Sequence, residues 1–334
     1  MAEPIRFSIV TPTHERPHSL LRMLDALARQ DYPFDLFEVI VIADGGAVDL
    51  EGVLARRTYP YRLRAVSQAQ SGPAAARNRG LAEAAEPYVL FIDDDVLPAT
   101  SLVRQHAEMH GVADRVVIGP LLAATAAKPS PWTAWEWATL MQQYRAMEAG
   151  EWEPTPRQFY TGNASVKIDH VAAVGGFNTQ FRRGEDVELA WRLHKRGLEF
   201  VFNPLAEGEH LAERSFEAWL SGAHEYGRTD VMMERIRTGH DLPDFVIEEF
   251  QGRHPYTKLL TRAVLARPEI WRPVTASGRL AALAIGRLGW ESVAVKVCSA
   301  LFTAGYWRGV AERLGRAEAL ALTTPDRMIR EAVA

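Results

Sequence analysis

Short apolar runs that stop at polar residues recur through the first hundred positions. Arg6–Thr11 is rich in β-branched residues and predicts a strand, which Thr13-His14-Glu15-Arg16-Pro17 interrupts. Leu20, Leu24 and Leu27 then recur at helical spacing within Ser19–Gln30. Phe37–Ala43 predicts the next strand and halts at Asp44-Gly45-Gly46, and Tyr61–Val66 fits a third. Gly72 and Pro73 stand where a helix begins, and the alanine-rich segment after them runs to about Ala85. Val89-Leu90-Phe91-Ile92 is a four-residue apolar run that ends abruptly in Asp93-Asp94-Asp95. A run of that kind suits a strand buried on both faces, in a parallel sheet covered by helices. Strand, helix, strand in this rhythm is a βαβ unit, and ligands of such sheets bind beyond the carboxyl ends of the strands.

After Asp95 the rhythm changes. Val116–Leu122 predicts an added strand, and Pro129–Met147 carries Trp132, Trp135, Trp137 and Tyr144 at a spacing that suits a helix core. Gly150–Arg157 reads as a loop, Thr161–Val166 as a polar turn leading into a strand, and Glu199–Asn203 as a further strand. Gly184-Glu185-Asp186 opens a helix whose buried side would carry Leu189 and Leu193. A helical tail begins near Ser215, with apolar stretches at Leu280–Ile285 and Val293–Trp307.

The totals narrow the classes. At 334 residues, 47% hydrophobic and 24% charged, the chain has the balance of a globular protein with ample core. A net charge of -4 offers no whole-molecule attraction to nucleic acid, so no nucleic-acid partner is expected. The single cysteine, Cys298, excludes an internal disulfide framework and a cysteine-built zinc site, and its apolar surroundings suit a buried thiol. Met1–Arg6 lacks a basic segment followed by a long apolar core, so no secretory leader is expected. The apolar stretch from Val297 to Trp307 is shorter than the ~20 residues that span a bilayer. A cytoplasmic location is the expectation.

The candidate chemistry is acidic. Three adjacent carboxylates beside an apolar strand repel one another unless a cation offsets them. On an extended chain Asp93 and Asp95 point one way and Asp94 the other. Hard oxygen ligands at a strand end suit Mg²⁺ or Mn²⁺ shared with a phosphate-bearing substrate. A solvated strand end, with Asp95 capping a helix near Pro98, fits the triplet equally well. Asp44 directly follows a buried strand, where a carboxylate can accept from a nucleobase N–H or a ribose hydroxyl, although Asp-Gly is also a common turn. Arg77, early in its helix, can serve a base or a diphosphate, or be a solvated surface residue. Glu185 and Asp186 stand at a positive helix end, which stabilises acids and also suits a rigid general base.

Taken in order, Ser8–Thr13, Val39–Gly45, Gly72–Gly80, Phe91–Asp95, Thr161-Gly162-Asn163, Gly175-Gly176-Phe177 and Gly184-Glu185-Asp186 resemble inverting glycosyltransferases of the family 2 type. The resemblance covers roughly the first two-thirds of the chain, and the ordered set is far more specific than any one piece. It implies an α/β fold of the GT-A type: a Rossmann-like mixed sheet flanked by helices, here with a C-terminal helical region. It also implies the roles. Pro12, Thr13, Glu15 and Asp44 would line the nucleoside pocket, with Asp44 on the base, and Arg77 would help hold the nucleotide. Asp93, Asp94 and Asp95 match the Asp-X-Asp motif, with Asp94 facing the ribose or donor and Asp95 binding a Mn²⁺ or Mg²⁺ ion. His210 would complete that metal site. Asp186 would be the catalytic base, with Glu185 beside it. Glu15 stands where an asparagine is more usual, and Ala43 where an acid is more usual.

The expected reaction moves a sugar from a nucleoside-diphosphate donor, uridine-linked by the resemblance, to a hydroxyl or amine of a glycan, a lipid-linked molecule or a small molecule. A non-catalytic nucleotide-sugar-binding protein is the alternative. A sugar nucleotidyltransferase is a weaker one, because Thr11–Pro17 contains no glycine for a triphosphate loop. A dinucleotide oxidoreductase is poorly supported, since no G-x-G-x-x-G follows the first strand. The expected division is a catalytic domain over 1–225 (nucleotide-binding half 1–100, acceptor half 101–225) and a helical region over 226–334. Between Arg253 and Arg316 eleven Lys/Arg face three Asp/Glu, reversing the sign of the whole. Helices packed on the catalytic domain account for that region first. Peripheral contact with the inner face of an anionic membrane, or a homodimer interface, are the sharper alternatives.

Overall fold

A computed structural model describes residues 3–46, 50–111, 114–124, 129–211 and 214–324. The chain forms two compact units, residues 1–127 with 140–212, and residues 128–139 with 213–334. The division expected at 225 falls inside the helix Phe216–Thr238.

Ten strands are described in the first unit: β1 (Phe7–Thr13), β2 (Phe37–Asp44), β3 (Arg62–Gln68), β4 (Tyr88–Ile92), β5 (Val96–Pro98), β6 (Arg115–Ile118), β7 (Leu121–Ala123), β8 (Asn163–Lys167), β9 (Glu199–Phe202) and β10 (Gly208–His210). Seven of them form one sheet in the order β3-β2-β1-β4-β8-β6-β9, and β5-β10-β7 form a small second sheet. β3, β2, β1 and β4 run parallel, whereas β8 is antiparallel to both β4 and β6. The mixed α/β architecture expected from the sequence is present.

Alternation explains why the sheet is buried on both faces. Phe7, Ile9, Leu90 and Ile92 point into one core with Leu20, Leu24 and Leu27 of helix Pro17–Leu27 and with Leu102 and Val103. Val10, Val89 and Phe91 point into the other, with Ala74, Phe177, Leu189 and Leu193. Contiguous apolar strands are therefore read as alternating only once both helical layers are in place. Helix Pro73–Glu83 lies close on β1: a Cβ added at Gly80 would come within 2.3 Å of Val10 Cγ1.

One expected element divides. The strand read over Val116–Leu122 splits at Gly119-Pro120 into β6 and β7, which belong to different sheets. A proline lacks the N–H that a continuing ladder needs, and at Gly119 a Cβ would meet Ala206 O at 2.3 Å, so the chain turns there. The aromatic run read over Pro129–Met147 forms the 18-residue helix Pro131–Glu148.

The second unit is helical. Trp132, Phe216, Trp219, Cys298 and Leu301 share one core, and Val231, Leu242, Phe250, Trp307 and Val310 another. Cys298 is the buried thiol the sequence suggests, and burial pushes its pKa up to about 12. Helices Phe216–Thr238 and Glu291–Leu314 pack in near backbone contact, because a Cβ at Gly309 would reach 1.9 Å from His224 O. No helix among the described residues is long and apolar enough to cross a membrane.

Candidate active site

Every residue named from the sequence as a site candidate lies in the first unit, on strand ends, in the turns that follow them or in the early turns of helices. The parallel register places Pro12 and Thr13 at the carboxyl end of β1, beside Ile42 and Ala43 of β2, and sets Asp44 beside Gln68 of β3. The acid triplet follows β4 directly, on the opposite flank of β1.

Asp94 and Asp95 are buried, and each is held by side chains from a distance in sequence. Thr13 Oγ1 donates to Asp94 Oδ2 at 2.6 Å. Arg16 Nη1 donates to Asp94 Oδ1 at 3.2 Å and to Asp95 Oδ2 at 2.5 Å. The second oxygen of Asp95 lies 3.4 Å from His210 Nε2. That approach comes from the small sheet, in which β10 pairs with β5 and sets His210 opposite Val96. Burial pushes the Asp94 carboxyl up to about 6, against the Thr13 hydrogen bond and the Arg16 charge. Burial also opposes ionisation of Asp95, but the His210 hydrogen bond and charge together with Arg16 outweigh it and hold the group below the usual carboxylate range.

Asp95 and His210 fit a divalent cation of limited coordination. Their facing atoms are 3.4 Å apart, near the ~3 Å between neighbouring vertices of an octahedron with 2.0–2.1 Å bonds. Among the described residues there is no group of three or more His, Cys, Asp or Glu poised as a metal cage. Such a pair suits an ion that takes its remaining ligands from a diphosphate and water.

Asp44 is more engaged than its sequence context suggests. Gln68 Nε2 donates to its Oδ1 at 2.7 Å, the Ser71 amide to the same oxygen at 2.8 Å, and the Gly72 amide to Oδ2 at 2.8 Å. The carboxylate thereby fixes the loop that opens helix Pro73–Glu83, and about one of its roughly four acceptor positions remains. His14 Nδ1 lies 2.8 Å from Asp44 O, so the two strand-end loops are tied to each other. Glu15 sits at φ 54 with its Cγ above Gly46, where an added Cβ would come within 2.8 Å.

Arg77 joins the two acidic motifs. It is 5% exposed; Nη2 donates to Asp93 Oδ1 at 2.8 Å and Nη1 to Glu185 Oε1 at 2.8 Å. Burial opposes its charge, yet the Asp93 and Glu185 carboxylates raise its pKa above the ordinary arginine value. Its Nε is buried with no hydrogen-bond partner, so the guanidinium is committed through its two terminal nitrogens. Gly162 gives room on the far side of Asp93: a Cβ there would lie 3.2 Å from Asp93 Oδ2.

Glu185 and Asp186 open helix Glu185–Lys195, whose start is the left-handed Gly184. Burial and the neighbouring Glu185 charge push the Asp186 carboxyl up to about 7, against Arg77 and the Val187 amide, which donates to Asp186 Oδ1 at 2.8 Å. A carboxyl that titrates near neutrality on a rigid helix start is equipped to take a proton from a substrate hydroxyl.

Several supporting groups carry no sequence signal for their role: Arg16, Gln68, the Ser71 amide, and the Gly72 amide at the head of the Gly72–Gly80 run. Asn78 does lie within the quoted Ala76-Arg77-Asn78, and its side-chain amide forms a reciprocal pair with Phe177: Nδ2 donates to Phe177 O at 2.8 Å, and Phe177 N donates to Oδ1 at 2.7 Å. The signal for that pairing was the Gly175-Gly176-Phe177 turn, where Gly176 takes φ 72 and a Cβ would strike Asn78 Oδ1 at 2.6 Å.

The family model for glycosyl transferase family 2 matches residues 8–184, more than half of the chain, and so spans every strand-end motif up to Gly184. The chain belongs to glycosyl transferase family 2. Among curated relatives of this family 2 chain, a validoxylamine A glucosyltransferase of Streptomyces hygroscopicus subsp. jinggangensis is 31% identical over 246 residues, covering 64% of this chain and 57% of the relative. A pre-mycofactocin glycosyltransferase of Mycobacterium tuberculosis is 25% identical over 226 residues, 66% of this chain and 46% of the relative. The chain thus spans about half the length of the curated relatives it matches. In fold it is similar to the mannosyltransferase PcManGT from Pyrobaculum calidifontis, solved with GDP-Man and Mn²⁺, at TM-score 0.59 and 19% identity over 92% of this chain and 89% of that one. It is also similar to residues 1–349 of Staphylococcus aureus TarS with UDP-GlcNAc, at TM-score 0.56 and 15% identity over 93% and 92% of the two chains. At those identities the likeness concerns the fold.

Proposed function

We propose that this family 2 chain is an inverting glycosyltransferase, moving a sugar from a nucleoside-diphosphate donor to a hydroxyl or amine of an acceptor. The observation that carries the reading is the Arg77 bridge, which brings the donor-side acid Asp93 and the Glu185-Asp186 pair to one guanidinium. Acids for the donor and a base for the acceptor thereby share one cluster.

In this reading Asp44 turns its remaining acceptor position to a base N–H or a ribose hydroxyl, beside Pro12, Thr13 and Glu15. Asp94, fixed by Thr13, faces the donor. A divalent cation held by Asp95 and His210 would neutralise charge on the departing diphosphate. Asp186 takes the acceptor proton as its oxygen attacks from the face opposite the leaving group. Arg77 keeps Glu185 and Asp93 in place and so sets the distance between donor and base. The PcManGT complex with GDP-Man and Mn²⁺ and the TarS complex with UDP-GlcNAc support a nucleotide-sugar donor and a divalent cation in a fold of this kind.

The deciding experiment is a panel of uridine-, guanosine- and thymidine-diphospho sugars, each with and without Mn²⁺, followed by thermal shift and by release of nucleoside diphosphate. Binding with metal-dependent release is expected for one donor class. Binding without any release, across a range of acceptors, would favour a nucleotide-sugar-binding protein. Release that persists in excess chelator would remove the metal assignment of Asp95 and His210.

For the C-terminal region we propose contact with an anionic lipid surface. Leu288 and Trp290 are 69% and 63% exposed in the connection between helices Trp271–Arg287 and Glu291–Leu314, and Leu280 is 68% exposed within the first of them, with exposed Arg272, Arg287 and Lys296 on the same helices. Exposed Leu and Trp flanked by cations suit an acidic headgroup layer. The full chain is expected to float with phosphatidylglycerol vesicles and not with phosphatidylcholine, and to lose that binding as L288S/W290S. Concentration-dependent dimerisation without vesicle binding would favour the homodimer instead.

A further inference from the structure

Asp94 and Asp95 are adjacent, 4% and 7% exposed, and share one cation in this structure. Arg16 Nη1 touches both, at 3.2 Å and 2.5 Å. The two oxygens of Asp95 are divided: Oδ1 faces His210 and Oδ2 holds Arg16. We infer that Arg16 is a tethered counter-cation, which occupies the metal-facing carboxylate in the ligand-free enzyme and withdraws when a divalent ion and its diphosphate arrive. This rests on the proposal above that Asp95 and His210 take the metal.

Three features separate Arg16 from an incidental ion pair. First, the acids are fixed and the arginine is not. Asp94 is clamped by Thr13 and both acids are buried, while the Arg16 side chain is 55% exposed on the loop after β1. Second, the backbone is built to aim it. Glu15, immediately before, takes φ 54, and Gly46 leaves the space its side chain needs. A non-glycine residue held in the left-handed region persists only where its surroundings enforce it. Third, Arg16 stands at the N-cap of helix Pro17–Leu27, where a donor-only guanidinium has nothing to offer the first-turn amides, and its cationic end is committed to the acid cluster.

The charge balance gives the device its purpose. Neighbouring buried carboxylates cannot all remain ionised without a cation, and a free metal ion is not always present. Arg16 supplies one positive charge at a cost that reverses easily, because a half-exposed ion pair is weak. A divalent ion between Oδ1 and His210 would bring two charges to the same carboxylate and so weaken the hold of Oδ2 on Arg16. Once released, the guanidinium is a planar, five-donor group beside an incoming diphosphate, to which it pairs well. Metal and nucleotide binding are then coupled through one side chain: nucleoside diphosphate draws Arg16 off Asp95 and opens the carboxylate.

The test is Mn²⁺ binding to the full chain, read from the electron paramagnetic resonance signal of free Mn²⁺, with circular dichroism as the check on folding. Without nucleotide, R16A and R16Q are expected to bind Mn²⁺ roughly fivefold more tightly than wild type, the scale of one solvent-exposed competing cation, with R16K close to wild type. Adding uridine or guanosine diphosphate is expected to tighten Mn²⁺ binding by a larger factor in wild type than in R16A. Folded R16A and R16Q that bind Mn²⁺ no more tightly than wild type, while wild type still binds it with nucleotide, would overturn the role of Arg16 and leave the metal site standing. Absence of Mn²⁺ binding in every form, with or without nucleotide, would overturn the metal site and the inference together.

Discussion

Arg77 donates to Glu185 Oε1 across 2.8 Å and so ties the helix that opens after Gly72 to the helix that opens after Gly184, 108 positions away in the chain. The same guanidinium holds Asp93 at the end of β4. One buried cation thus sets the distance between the donor-side acids and the proposed base. Both terminal nitrogens are spent on protein carboxylates, so in the proposed reaction Arg77 would act by positioning those acids.

Replacing Arg77 by Met is therefore expected to cost stability as well as activity. It leaves Glu185, 6% exposed, without its counter-charge, and breaking one side of a buried pair typically costs about 3–5 kcal/mol. Urea unfolding of R77M, E185Q and R77M/E185Q measures it. The double variant should recover part of the R77M loss, since the stranded charge is gone. If R77M/E185Q shows the full sum of both single losses, the two groups are not coupled.

Asp186→Asn is expected to bind donor normally while transfer falls by ~10²–10⁴-fold, the usual worth of a general base. In wild type, kcat/KM should rise with pH through an acid limb near 7, where the Asp186 carboxyl titrates. The residual rate of D186N should lack that limb. Near-normal turnover in D186N would take the proton-accepting role away from Asp186.

Much of this was legible in the sequence. Strand ends were visible because β-branched runs stop at Thr13, Asp44 and Asp93, and each run proved to be a strand of the parallel half. The helix at Glu185 was visible from its acid-rich start and its leucines. What one dimension hid was pairing between distant short segments. The β5-β10-β7 sheet consists of three-residue strands, too short to show any period, yet it carries His210 to Asp95. Ser165 is another case: its hydroxyl lies 2.8 Å from His106 Nδ1 and 2.7 Å from His110 Nε2, a buried polar network between a helix and β8. Nothing in either segment announces a partner some 55 residues away. Arg16 is silent in the sequence for the same reason, because charge complementarity across strand ends appears only when β1 and β4 are neighbours.

The Asp186 carboxyl also makes stability depend on pH. Its folded-state pKa, about 7, lies above the ordinary 3.8, so the folded chain binds the proton more tightly than the unfolded one between those values. Stability attributable to this group is present at low pH and is lost as pH rises towards 7. D186N carries no such dependence. Without metal or nucleotide, the difference in melting temperature between D186N and wild type should therefore shift in favour of D186N from pH 5 to pH 8. A difference that stays constant across that range would place the Asp186 pKa near its ordinary value.

Gly80 offers a packing test of the same architecture. It lies one turn beyond Arg77 on helix Pro73–Glu83, and a Cβ there would sit 2.3 Å from Val10 Cγ1 and 3.1 Å from Cγ2. Val10 is fully buried on β1, so it has little room to yield, and the helix must lift from the sheet instead. Overpacking of this kind costs about 1–3 kcal/mol. G80A should therefore unfold at lower urea, and because Arg77 rides on the lifted helix its transfer rate should fall too. V10A alone should also destabilise by leaving a cavity. Combined, the two changes exchange one methyl contact for another, and G80A/V10A should lose less than the sum of the single variants, with transfer partly restored. Strict additivity in the unfolding free energies would mean that the helix does not rest on β1 through this contact.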